Sequence, residues 1–118
     1  MKLPDVEGAV LVEAKFTAYL LDETHQEGRG KALFFKRFGS SVTEWGLLAH
    51  ALVEHARAHN VVKMEQTRFG TRYVVEGELE TPVGRRPLVR VVWFVPDGES
   101  VPYLVTAYPM ESTDDQGT

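Results

Sequence analysis

The chain has 118 residues, 43% of them hydrophobic and 10% aromatic, which is one domain's length with enough apolar material for one core. It contains no cysteine, so disulfide scaffolds, thiol nucleophiles and thiolate zinc sites are excluded. A formal charge of −4 argues against a general nucleic-acid binder with a uniformly basic face.

Ala9, Val10, Leu11 and Val12 form a short apolar run that suits either a strand or the lead-in to a helix. Over 13–21, Ala14, Phe16, Ala18, Tyr19, Leu20 and Leu21 give a short helix one buried face. Residues 22–28 are polar and end in Gly28, as a loop does. Ala32, Leu33, Phe34, Phe35 and Phe38 predict a second helix over 29–38, stopped by Gly39. Ser41, followed three residues later by Glu44, has the capping-box form and opens the strongest helix. There Trp45, Leu48, Ala49, Leu52 and Ala56 keep three- and four-residue steps through to His59.

Beyond Asn60 the period changes to two. Over 61–69, Val62, Met64 and Gln66 are expected on one face, with Val61, Lys63 and Glu65 on the other. Gly70 and Thr71 mark a hairpin turn, and 72–79 reads as the second strand. The third, 87–95, is apolar on both faces and therefore central. The fourth, 103–108, is ended by Pro109. Three short connections make a meander, and only the N-terminal helices are available to cover one of its faces. The predicted fold is α+β, with N-terminal helices packed on one face of a four-stranded antiparallel meander sheet. A single domain over 1–110 is expected. The tail 111–118, with Glu111, Asp114 and Asp115 and no base, is expected to be disordered. No run approaches the ~20 apolar residues of a membrane span, and the N-terminus lacks a signal peptide's apolar stretch. A cytoplasmic location is expected, without membrane or DNA partners.

Chemistry concentrates between the first two helices. His25, Gln26, Glu27, Gly28, Arg29, Gly30 and Lys31 place two glycines around an arginine at a helix start, with a lysine in the first turn. Glycine lets backbone N–H groups converge, and the helix N-terminus adds about half a positive charge. Gly28, Arg29, Gly30 and Lys31 are therefore candidates for holding a phosphate. The segment 29–37 holds Arg29, Lys31, Lys36 and Arg37 and no acid, a basic patch that the net charge hides. The P-loop frame is absent, and a glycine-rich turn with solvated bases is the plainer alternative. His25 has the ordinary pKa for acid–base work near neutrality. His50, His55 and His59 read as solvent-face residues of the long helix. His55 and His59 are four apart but lack a third ligand, so neither a metal nor a cofactor is expected. Phe34, Phe35, Trp45 and Trp93 read as core. Arg72 follows a turn glycine. Thr106 and Tyr108 share a strand face as a hydroxyl pair, although both residue types simply favour strands.

The run from His25 to Phe35 resembles the signature of the DUF6883 family of bacterial domains. The segments 69–77, 91–94 and 104–109 agree with it in order, and the likeness spans about Lys2 to Pro109. The family name implies no activity. In architecture the chain is also similar to the Barnase–EndoU–colicin–RelE group of toxin ribonucleases, an analogy of fold. That resemblance implies metal-independent RNA cleavage by scattered side chains. His25, Lys31, Arg72, Thr106 and Tyr108 become the expected catalytic set, with RNA and a cognate antitoxin or immunity protein as expected partners. The alternative is a non-enzymatic module for a phosphate-bearing ligand or a partner protein.

Overall fold

A computed structural model describes residues 1–22, 24 and 29–110, with Arg29 described through its backbone only. His25, Gly28, the Arg29 side chain and the acidic tail thus lie outside the described residues. A 3-10 turn at Val6–Gly8 precedes α1 (Glu13–Lys15), which runs into a π-helical turn at Phe16–Leu20. Then come α2 (Arg29–Arg37) and α3 (Trp45–Ala58). The strands β1 (Val61–Thr67), β2 (Gly70–Glu78), β3 (Leu88–Pro96) and β4 (Tyr103–Pro109) form one antiparallel sheet in the order β1-β2-β3-β4. The expected α+β meander is the observed fold.

Local chemistry explains most boundaries. The π turn closes with the Leu21 N–H donating to the Phe16 carbonyl at 2.8 Å. That wider turn lets Phe16, Leu20 and Leu21 all enter the core. α2 ends at Gly39, whose φ of 99° only glycine adopts without strain. Ser40 N–H donates to Phe35 O and Gly39 N–H to Lys36 O, the paired bonds of a Schellman cap. Ser41 Oγ accepts from the Glu44 N–H at 3.2 Å, as a capping box does, but α3 itself begins one residue later.

The core lies between the helices and one sheet face. Val75 of β2, Val89, Val91 and Trp93 of β3, and Leu104 and Ala107 of β4 meet Phe16, Leu20, Phe35, Leu48 and Leu52. Each such large apolar side chain contributes roughly 1.5–3 kcal/mol by its burial. Two bulges set which side chains face where. One between Val61 and Lys63 corrects the alternation expected for β1: Val61 pairs with Val75 at the core, while Lys63 pairs with Val74 and Glu65 with Arg72 on the opposite face. The other lies opposite Val92 and Trp93. It sends Leu104 inward and leaves Thr106 opposite Val92 and Tyr108 opposite Arg90. The Val10 run resolves to a single parallel bridge to Tyr103 at the β4 edge.

The histidines of α3 require a second correction. His50 is exposed, but His55 is buried and His59 half-buried. A carbonyl can only accept, so His55 Nε2–H donates to Gly77 O at 3.1 Å and Val89 O at 3.2 Å, tying α3 to two strands. Burial is the main cause that lowers the His55 pKa to about 4, with nearby His59 adding to it against the two carbonyl bonds. His59 Nε2–H donates to Glu78 O at 2.9 Å. A Cβ at Gly77 would overlap the His59 ring, so glycine makes room for it there.

Candidate functional site on the outer sheet face

The sheet face turned away from α3 carries the polar residues. Pairing register places Lys63 and Glu65 of β1, Arg72, Val74 and Glu76 of β2, Arg90 and Val92 of β3, and Thr106 and Tyr108 of β4 on this side. Lys31 joins them from the first turns of α2. Its Nζ donates to the Tyr19 hydroxyl, stands 4.7 Å from the centre of that ring, and lies 5.9 Å from the centre of the Tyr108 ring. An ammonium within about 6 Å of a ring centre is attracted by the negative face of the ring.

Arg90 sits at the centre of the cluster. Its Nε donates to Glu76 Oε2 at 2.5 Å, and its terminal nitrogen reaches the Tyr108 hydroxyl at 3.5 Å. The guanidinium carbon lies 5.7 Å from the centre of the Tyr108 ring. The Tyr108 hydroxyl, then the Glu76 carboxylate, hold this guanidinium above its ordinary pKa. Arg72 pairs with Glu65 at 3.6 Å. A shallow hollow of about 320 Å³ runs over the face, lined by Val62, Lys63, Arg72, Val74, Glu76, Arg90 and Tyr108. Arg72 lies one cross-strand step and four residues from Arg90, about 13 Å along the strand direction. The arrangement can hold anionic groups at two separated points, Arg90 and Arg72, with the Tyr108 ring beside the first.

Of the residues expected from sequence, Lys31 and Tyr108 come together here, while Arg72 lines the same face farther along the strands. Thr106 shares the face, but its Oγ1 is covered and has no hydrogen-bond partner among the described residues. Gly30 is exposed in the first turn of α2, and a Cβ there would meet nothing. No close backbone approach requires that glycine. Sequence reasoning missed Arg90, Glu76, Lys63 and Tyr19. One signal was available for Arg90: a lone charge inside the most apolar strand, where an unpaired charge would be costly.

A larger hollow of about 480 Å³ lies elsewhere, between α2, α3 and the β2–β3 connection. Phe34, Phe38, Leu47, Leu48 and Pro82 wall it, and His50, Glu54 and Glu80 stand at its rim. It brings together no set of cations like that of the outer face. The described residues include no helix long and apolar enough to cross a membrane.

Comparison with known proteins bears on both fold and family. The family described as "Domain of unknown function (DUF6883)" matches residues 2–111. No curated protein matches the sequence at a significant level. Among solved structures, a chain of a contact-dependent growth inhibition toxin–immunity protein complex from Klebsiella pneumoniae 342 is similar, with a TM-score of 0.67 and 20% identity. The alignment covers 86% of this chain and 99% of that one. At that identity the likeness is one of fold.

Proposed function

The chain belongs to the DUF6883 family, and from that premise we propose that its outer sheet face binds and cleaves RNA as a toxin-type endoribonuclease. The observation that carries this reading is that Lys31 from α2, the Arg90 guanidinium and the Tyr108 ring meet on the outer face, with Arg72 lining the same hollow farther along the strands. Such cations stabilise the charge that develops on a phosphodiester when a ribose 2′-oxygen attacks it.

In the proposed reaction a base takes the 2′-OH proton and the 2′-oxygen bonds to phosphorus. The bond to the 5′-oxygen breaks, and an acid protonates that leaving oxygen. The products are a 2′,3′-cyclic phosphate and a 5′-hydroxyl. His25 is assigned as base or acid. Lys31, Arg90 and Arg72 clamp the phosphates, with Gly30 in the first turn of α2; the phosphate roles expected of Gly28 and Arg29 fall on residues outside those described. Tyr108 lies beside the clamp and orients a base or sugar, and Thr106 supports it on the same strand face. Likeness of fold to a chain of a toxin–immunity complex supports a toxin setting with a cognate partner protein. That complex contains both kinds of chain, so an immunity-like binding module is the second reading, favoured by the net charge of −4.

The test incubates purified protein with total RNA and tRNA in EDTA. Cleavage to cyclic-phosphate ends is expected, slowed about 10²–10³-fold in Lys31→Ala and Arg90→Ala. RNA left intact over a wide protein excess, together with normal growth of an expressing host, would exclude the nuclease in favour of the binding module.

A further inference from the structure

The free edge of the sheet supports an inference independent of RNA cleavage. Every residue of β1 from Val62 through Thr67 is exposed, and no described element pairs beyond it, whereas Val10 bridges the opposite edge. Alternate residues of an edge strand turn their N–H and C=O groups toward solvent, ready to pair with another strand. Val61 N–H already donates to Met1 O at 2.7 Å, which marks where the free stretch begins.

Edge strands commonly carry charges that repel a second strand. The charges here do the opposite. Lys63 and Glu65 stand on the same face, two residues apart, and Met64 lies between them on the other face, 53% exposed. Let a second copy of β1 lie antiparallel about a two-fold axis at Met64. Each Lys63 then faces Glu65 of the other copy, Val62 faces Gln66, and Met64 meets its equivalent. Other registers are worse. Centring on Lys63 or on Glu65 opposes like charges, and a one-residue shift moves the charged side chains to the wrong face. The axis is perpendicular to the sheet, so both outer faces point the same way.

We propose that β1 is a self-complementary docking edge on which a second copy of this chain pairs, joining two four-stranded sheets into one of eight strands. Lys63 lines the hollow of the outer face, so pairing sets two such hollows side by side on one surface. A contact made by one short strand falls at the small end of the interface range and gives a weak dimer.

Sedimentation equilibrium on the whole chain, from micromolar concentrations to ~1 mM, reads this directly. The expected result is a mass rising from monomer to dimer with concentration. Lys63→Glu alone or Glu65→Lys alone turns both cross-strand pairs into like charges, and each weakens association about tenfold. The double variant K63E/E65K restores the pairs between copies, at the loss of the Glu65–Arg72 contact within each copy, and regains most of the association that the single variants lose. The chain has no cysteine, so Met64→Cys also gives one thiol per copy, and a short bis-maleimide should link two copies through it. A monomer throughout the range overturns the proposal, as does a double variant no better than the single ones. An edge that takes up only a strand of a different protein overturns it too. Circular dichroism of each variant confirms the fold, because these side chains are exposed and carry no core contacts.

Discussion

Arg90 holds the middle of the outer face through partners on both neighbouring strands. It lies on the most apolar strand, where pattern alone reports burial on both faces. Its partners are 14 and 18 residues away in sequence, Glu76 and Tyr108, and only the register of three strands brings them together. Lys31, Arg72 and Tyr108 were legible as residue types at suggestive positions, because a lysine in a first helical turn and a hydroxyl pair on one strand face are local facts. The pairing that makes them a cluster is not local. The planar guanidinium bonds Glu76 and Tyr108 through different nitrogens, which an ammonium at the end of a flexible stem does not reproduce. Arg90→Lys is therefore expected to lower affinity for a short RNA at least about tenfold although charge is kept. Glu76→Gln, which leaves Arg90 charged but less firmly held, should fall between it and wild type. Fluorescence anisotropy with a labelled oligonucleotide measures both, and wild-type affinity in Arg90→Lys would count against a positioned guanidinium.

At the scale of elements, the clamp between α3 and the sheet depends on one neutral imidazole. His55 lies three residues beyond Leu52 and seven beyond Leu48, on the apolar stripe of the helix. The helical period thus placed it inside, and the usual polarity of histidine argued it outside; the period was the better guide. The π turn and the two strand bulges were not legible, because each is a local distortion fixed by what the side chains pack against. The buried imidazole has a consequence for stability. Its folded pKa of about 4 lies below the ordinary 6.5, so between those values the unfolded chain binds the extra proton. Stability is then complete above about pH 6.5 and falls as pH drops toward 4. The full difference is about 3 kcal/mol. Protonation would put a charge on a ring whose Nδ1 has no acceptor among the described residues. Urea midpoints measured at pH 7.5 and 5 should fall markedly for wild type. The fall should be much smaller for His55→Gln, which is less stable at pH 7.5 but has no proton to gain there. Equal slopes for the two proteins would show that carboxylates or the other histidines govern the acid limb.

For the molecule as a whole, the meander was legible because short polar connections between apolar strands leave one economical topology, and because only the N-terminal helices could cover it. Net charge was the less informative global quantity. It is −4 over the chain, yet the outer face gathers Lys31, Lys63, Arg72 and Arg90 against Glu65 and Glu76. Averages over a small domain do not describe the potential above one face, since charges farther apart than about 8 Å are largely screened at physiological salt. The two descriptions predict different salt dependence. A protein held to RNA by two to four phosphate contacts releases a few counterions, so log K should fall against log salt with a slope of about −1.5 to −3. A binder repelled overall by its own acidity would show weak affinity and a slope near zero. Arg72→Ala, at the far end of the hollow from Arg90, should make the slope shallower by about 0.7 without changing preference among RNA sequences, because a phosphate contact carries no base information. An unchanged slope in that variant would place the anion elsewhere on the face and remove Arg72 from the clamp.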